Sequence, residues 1–182
     1  MTASSLTIRK ADFADPALIS LIKIHSAYCN SPDNNVPGEE TNVLDIVALQ
    51  QPNVTLWTVH GLPTASSPSP STTGTEALLG CGALKTLPAS ASSNGHLAEP
   101  CGELKSMHTT AASRRQGVGA QMLDYIMSEA RRQGLKRLYL ETGTTEAFVA
   151  TNRFYARHGF EECGPYGDYP VQKNSCFRVK QL

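Results

Sequence analysis

The residues with the clearest potential for chemistry lie in one stretch, residues 103–120, with the sequence ELKSMHTTAASRRQGVGA. Its first half can form a strand, and its glycines then precede apolar residues at helical spacing. A helix N-terminus offers unpaired backbone N–H groups and about half a positive charge, and glycine leaves room for a phosphate to reach them. Arg114-x-x-Gly117-x-Gly119 therefore indicates a phosphate-binding turn, although an ordinary turn explains this pattern by itself equally well. The sequence has neither the GxGxxG dinucleotide fingerprint nor the P-loop pattern.

A second motif, NRFYARHGF at residues 152–160, is typical of a helix that carries Asn152 and Tyr155 and ends at Gly159. RRQGVG and this segment, with a strand between them, resemble two ordered motifs of the GNAT superfamily of acyl-CoA-dependent N-acetyltransferases. The resemblance is strong over residues 103–160. The order of elements before residue 103 also fits, but the acceptor side carries no comparable motif.

The resemblance implies acetyl-CoA as the cofactor. Backbone amides of residues 115–120 would bind the CoA pyrophosphate, with Arg114 at the mouth, and a strand edge at 103–109 would hold the pantetheine arm. The cofactor-binding residues implied in this way are Met107, Thr109, Arg114, Arg115, Gln116, Gly117, Val118, Gly119, Ala120, Asn152 and Tyr155.

The resemblance also implies catalytic roles for Tyr155 and Glu103. Tyr155 would protonate or hydrogen-bond the departing sulfur, and Glu103 would take the proton of the attacking amine. Each has a structural alternative, because Tyr155 could be a core aromatic and Glu103 a solvated carboxylate. His108 lies near the expected thioester and could be a base, but a single histidine in a strand is more often structural.

Two turn-rich segments would border the acceptor cleft in this fold. The tail segment GPYGDY and the early loop with NSP supply the candidate substrate-binding residues Tyr166, Asp168, Tyr169 and Ser31. A turn-forming role explains these residues equally well.

The elements that must position these residues follow from periodicity and turn signals. Strands are predicted at residues 6–9, 54–59, 77–84, 103–109 and 136–141, with 54–59 and 77–84 as a hairpin, and helices at 16–29, 43–49, 118–132 and 145–158. Phe160 opens a short strand, and the alternation of Cys176, Phe177 and Val179 predicts a last strand at a sheet edge.

Together with the resemblance, these elements imply one α/β GNAT-like domain over residues 1–182. Its sheet would be mixed, mostly antiparallel and twisted, with about six to seven strands and about four flanking helices. A V-shaped splay would separate residues 103–109 from residues 136–141. The low-complexity segments 63–75 and 88–95 are expected to be mobile loops.

Composition excludes several other classes. Lys+Arg and Asp+Glu are both 16, so no overall field favours nucleic acid or an anionic membrane. Five scattered cysteines without a CxxC pair indicate reduced thiols and no metal site. Without a signal-like or membrane-spanning segment, a cytoplasmic protein is expected. A homodimer is expected only by analogy with similar folds.

The function implied is N-acetylation of a primary amine of a small molecule by direct attack in a ternary complex. Two alternatives stay open at this point. One is a protein or peptide N-acetyltransferase, and the other is a CoA-binding sensor without turnover.

Overall fold

The computed structural model describes residues 6–34, 41–62, 76–88 and 99–182. Seven strands lie within these ranges: β1 (Thr7–Lys10), β2 (Val54–Gly61), β3 (Ala77–Leu87), β4 (Cys101–Thr109), β5 (Arg137–Gly143), β6 (Glu161–Cys163) and β7 (Ser175–Gln181). They form one sheet in the order β1-β2-β3-β4-β5-β7-β6. Every neighbouring pair is antiparallel except β4 and β5, which are parallel. The mixed, mostly antiparallel sheet implied by the sequence is therefore confirmed.

The described residues contain four α-helices, α1 (Pro16–Cys29), α2 (Ile46–Leu49), α3 (Val118–Arg132) and α4 (Val149–Arg157). The apolar stripe of α3 and Tyr155 of α4 pack in one core cluster with Leu104 and Leu140 of the sheet. α1 and α2 pack in a second cluster with Leu56 and Ala83. The sheet is thus covered on both faces, with α1 and α2 on one and α3 and α4 on the other.

Helix boundaries differ from the sequence prediction where capping chemistry intervenes. The second helix was expected from residue 43, but the extended Asp45 accepts a hydrogen bond from the Ala48 N–H and starts α2 at Ile46. The helix expected at 145–158 begins with a 3₁₀ turn at Glu146–Phe148 before α4. Gly134 and Gly159 end α3 and α4 as predicted, each with a positive φ angle.

The parallel strands β4 and β5 separate after a short pairing. Residues 101–104 of β4 pair with residues 137–140 of β5, and the two strands have no register partners beyond Leu104 and Leu140. Both strands nevertheless continue, β4 to Thr109 and β5 to Gly143. The splay expected between these strands is therefore present, and it opens a cleft toward their carboxyl ends.

The prediction that the last strand lies at a sheet edge was wrong. β7 lies between β5 and β6, and the three-residue β6 forms the edge. Both Phe177 and Arg178 of β7 are buried. A short alternation of apolar and polar residues predicts that one face of a strand is buried, but it does not predict how many strands pair with it.

The β2–β3 hairpin is confirmed by antiparallel pairing. The expected loop at 63–75 and most of the one at 88–95 lie outside the described residues. All five cysteines are free thiols. Among the helices of the described ranges, none combines the length and the apolar character that crossing a bilayer requires.

Candidate functional site

A cavity of about 150 Å³ occupies the cleft where β4 and β5 diverge. Its walls come from α1, residues 41–43, β4, β5, α4 and residues 174–175. The side chains in it that can exchange protons or carry charge are His25, Cys29, Lys105, His108, Glu141 and Tyr155, with Tyr28 beside them. The cavity thus gathers residues that are more than a hundred positions apart in the sequence.

A β-bulge in β4 shapes one wall of this cavity. Cys81 of β3 pairs with His108 and Ala83 pairs with Lys105, so β4 holds one residue more than β3 between these pairs. Ser106 adopts a positive φ of 48° there. Leu104 and Met107 consequently both pack with the α3 side of the sheet, whereas Lys105 and His108 lie on the α1 side, where Lys105 bonds to Asn42 and His108 stacks on His25.

The turn before α3 has the backbone of an anion-binding nest. Arg115 has a φ of 63° and Gly117 a φ of 82°, and residues 114–117 are exposed. Gly117 is the N-cap of α3 and, as a glycine, it has no side chain that could cap the first N–H groups of the helix. A Cβ added to Gly117 would meet no atom within 4 Å, so the space in front of these amides is open. Successive N–H groups in such a turn suit a phosphate.

Three of the predicted cofactor residues, Met107, Thr109 and Gly119, lie close together. A Cβ built on Gly119 would lie 3.7 Å from Met107 Cε, 3.8 Å from Thr109 Cγ2 and 3.8 Å from Phe154 Cζ. The N-terminus of α3 therefore touches the far end of β4, and the cavity begins at Met107 on the same strand. An extended ligand could run from the nest along the open edge of β4 into the cavity.

Tyr155 of α4 lies at the bottom of the cleft. It is only 7% exposed, packs edge-on against Phe154 and Phe160, and lines the cavity. Burial raises the pKa of its phenol above the ordinary value of 10, and the nearby Cys29 adds to the rise. The hydroxyl therefore keeps its proton throughout the neutral range and can donate it.

Asn152 lies beside this group but its side chain is already engaged. Its amide donates to the carbonyls of Gly143 and Phe148, and its oxygen accepts from the Arg178 guanidinium. These bonds join α4 to β5 and β7. Asn152 does not line the cavity, so its part in cofactor binding stays a prediction, and its observed contacts are structural.

Glu103 is not among the residues that line the cavity, and its part as a base, directly or through water, stays a prediction. It is 1% exposed, and its Oε1 atom accepts hydrogen bonds from the hydroxyls of Tyr166 at 2.7 Å and Tyr169 at 2.5 Å. Lys105 Nζ lies 3.3 Å from the same oxygen and donates to the Tyr169 hydroxyl and the Asn42 carbonyl. Tyr166 and Tyr169, two residues predicted to bind substrate, thus hold a buried carboxylate, and their part in substrate binding stays a prediction.

The other two predicted acceptor residues also lie outside the cavity lining. Asp168 is exposed, and Ser31 begins a turn in which its own carbonyl accepts a hydrogen bond from the Asn34 N–H. Asn34, three positions on, is the residue of this loop that lines the cavity. The predicted roles of Ser31 and Asp168 in substrate binding stay predictions.

Five charged or titratable cavity residues were missed by the sequence predictions: His25, Tyr28, Cys29, Lys105 and Glu141. Glu141 follows the last residue of β5 that pairs with β4, and its Oε1 atom accepts a hydrogen bond from Ser175 Oγ at 2.7 Å. The one available signal was the position of polar residues in otherwise apolar strands. In the described part of the chain, no group of three or more His, Cys, Asp or Glu side chains could hold a metal ion.

Comparison with known proteins gives concordant matches. The sequence model of the acetyltransferase (GNAT) family matches residues 67–160. The uncharacterized N-acetyltransferase YsnE of Bacillus subtilis (strain 168) is 34% identical over 175 residues, which cover 96% of this chain and 99% of the relative.

Solved structures of the same family share the fold. A GNAT family acetyltransferase from Staphylococcus aureus superposes with a TM-score of 0.64 at 17% identity, covering 98% of this chain and 99% of the other. A GNAT family acetyltransferase from Elizabethkingia anophelis, solved with acetyl-CoA bound, has a TM-score of 0.56 at 14% identity and covers 97% and 98% of the two chains.

Proposed function

Because the chain belongs to the acetyltransferase (GNAT) family, we propose that it transfers an acetyl group from acetyl-CoA to a primary amine of a small molecule. The amine attacks directly, in a complex that holds both substrates. The observation that carries this proposal is the continuous path from the exposed nest at residues 115–117 to the cavity between β4 and β5.

The residues along this path fit a CoA thioester. Amides of residues 115–120 would bind the pyrophosphate, since they lie at an open helix N-terminus that carries no side-chain cap. Arg114 at the mouth would add a positive charge. The edge of β4 beyond Leu104 has no register partner in β5, so Met107 and Thr109 can offer backbone groups to an extended amide-bearing arm.

Tyr155 supplies the proton that the chemistry requires. Acetyl-CoA brings an activated acyl group and a sulfur leaving group, which departs more readily when it receives a proton. The Tyr155 hydroxyl is protonated at neutral pH because burial raises the pKa of the phenol. Its place in the cavity wall allows it to reach a sulfur that enters along β4.

The acceptor end of the cavity suits a small amine. Among the described residues that line it, Glu141 is the one carboxylate, and a carboxylate attracts an ammonium group. The volume of about 150 Å³ favours a compact acceptor over a protein side chain with its flanking residues. Glu103 serves in this scheme as an anchor for residues 166–169, because both of its tyrosine bonds hold that segment against the sheet.

Two measurements test this function together. Calorimetric titration with acetyl-CoA should show binding, and a thiol-release screen over amines, amino acids, aminosugars, polyamines and peptides should identify an acceptor. Absence of binding at millimolar acetyl-CoA would refute the proposal. Tight binding without turnover of any acceptor would favour a sensor, and turnover of peptides alone would favour a protein acetyltransferase.

A further inference from the structure

Two histidines from different elements meet on the acceptor side of the cavity. His25 belongs to α1 and His108 to β4, and their ring centroids are 5.1 Å apart with a 48° tilt. Both rings line the cavity. They are 83 positions apart in the sequence, and the fold alone brings them together, so neither is a single structural histidine.

The bulge in β4 is what turns His108 toward the acceptor. In a regular strand, His108 would share a face with Leu104, which packs in the α3 core. The additional residue at Ser106 reverses the alternation, so Met107 takes the core side and His108 faces α1. The imidazole therefore lies on the opposite side of the strand from the core that contains Tyr155, while both line one cavity.

The surroundings keep His108 uncharged. Burial lowers the pKa of His108, and Arg114 lowers it further. Burial, His108 and Lys105 lower the pKa of His25 to about 4. The titratable and charged groups that face or line this space from other elements are Cys81, His25, Tyr28, Cys29, Arg114, Glu141 and Tyr155. A neutral imidazole has a free lone pair that can accept a proton, and surroundings that disfavour the imidazolium favour release of that proton to water.

We propose that His108, packed against His25, takes the proton from the acceptor ammonium and so generates the attacking amine. This inference rests on the proposed acetyl transfer. The ammonium loses one proton to His108, which releases it to solvent. The nitrogen lone pair then forms the C–N bond as the C–S bond breaks. The departing sulfur receives the proton of the Tyr155 hydroxyl. The nitrogen, which now carries the acetyl group, gives up its second proton, and this proton restores the Tyr155 phenol. The products are one thiol, one amide and one proton in solvent.

Neither carboxylate near the site competes for this role on geometry. Glu103 is buried under Tyr166 and Tyr169 and lines no part of the cavity. Glu141 does line the cavity, but one oxygen is held by Ser175 and it lies on β5, across the cleft from the strand that would carry the thioester. Its position suits attraction of the ammonium rather than removal of its proton.

The test compares wild type, His108→Gln and a matched control, His60→Gln, in kcat/KM between pH 4.5 and 10 with the acceptor found by thiol release. His60 is also buried with a lowered pKa, but it lies on β2 outside the cavity. At pH 7, His108→Gln should lose about 100-fold in kcat/KM, within the usual range for a general base. The loss should shrink toward high pH, where the amine is already neutral. Acetyl-CoA affinity should be unchanged in all three proteins.

A loss of equal size at every pH, or no loss, would overturn the assignment. If His108→Gln does not fold, His108→Ala should regain activity with added imidazole, and lack of rescue in a folded protein would count against the role. The wild-type profile is independent of any variant: its acid limb should bend at an apparent pKa below 6.5, and a bend above 7 would refute the proposal. An inactive wild type would instead refute the acetyl transfer itself.

Discussion

Replacing Gly117 by alanine separates the conformational role of this glycine from its role in the cofactor path. Gly117 has a φ of 82°, a left-handed conformation that costs a residue with a Cβ about 1 kcal/mol. A Cβ there would meet no protein atom within 4 Å, so no steric clash adds to the cost. In a chain of this length about 1 kcal/mol lowers the melting temperature by roughly 3 °C.

Gly134 provides the matched control. It ends the same helix with a φ of 77°, and a Cβ added there would likewise meet no atom within 4 Å. Gly134→Ala should therefore cost about the same stability as Gly117→Ala. Only Gly117, however, lies where the proposed pyrophosphate approaches the amides. Losing one charge-assisted hydrogen bond there costs about 1.5 kcal/mol or more, which is roughly a tenfold rise in the dissociation constant of acetyl-CoA.

Thermal unfolding and calorimetric titration of both variants give the two quantities. We expect similar melting temperatures for the two variants and a weakened affinity for Gly117→Ala alone. Equal affinities would show that the amides around residue 117 do not hold the cofactor. Weakened binding in Gly134→Ala would show that the effect comes from general loosening of α3, and the nest argument would fail.

Side chains in and around the cleft give three further predictions. Tyr155→Phe should lower kcat about 100-fold with little change in acetyl-CoA affinity, because it removes a proton donor. The control Tyr125→Phe on α3 should leave kcat unchanged. A kcat of Tyr155→Phe equal to that of the wild type would exclude the acid role. Arg178→Met should lower the free energy of unfolding, measured in urea, by about 2 kcal/mol, because it removes the hydrogen-bond donors of a buried network that includes Asn152. Arg132→Ala, which breaks an exposed ion pair with Glu129, should not change the urea midpoint. Between pH 7 and pH 5 the wild type should lose about 1–2 kcal/mol of unfolding free energy that His25→Gln does not lose. The reason is that His25 has a pKa of about 4 when folded and 6.5 when unfolded, so acidification protonates the unfolded chain first. Parallel curves of stability against pH for the two proteins would contradict this.

The cofactor half of the fold was predictable because its signals are local. Gly117 and Gly119 next to an amphipathic run predict a helix start, and Gly134 and Gly159 predict helix ends. Each of these predictions depends on the backbone conformation of a glycine or on the spacing of apolar residues within a few positions. The order of the motifs then implied the sheet and its splay, which the structure confirms.

The acceptor half was less predictable because its contacts are long-range. Nothing near Glu103 indicates that two tyrosines 63 and 66 positions later would bury it. His25 and His108 likewise have no sequence relation, and the bulge that turns His108 toward α1 depends on how β4 pairs with β3. Alternation in a strand predicts which residues share a face only while the register is regular.

The additional residue in β4 also has an evolutionary consequence. Because it splits the strand into two stretches of opposite parity, position 107 packs on the α3 side of the sheet and position 108 faces α1. Substitutions at position 108 therefore change the cavity wall without disturbing the packing under α3. Deletion of one residue at the bulge would exchange the two sides in a single step. Point mutations and single-codon deletions in this strand thus have different effects, because a point mutation at position 108 alters one side of the sheet and a deletion alters both.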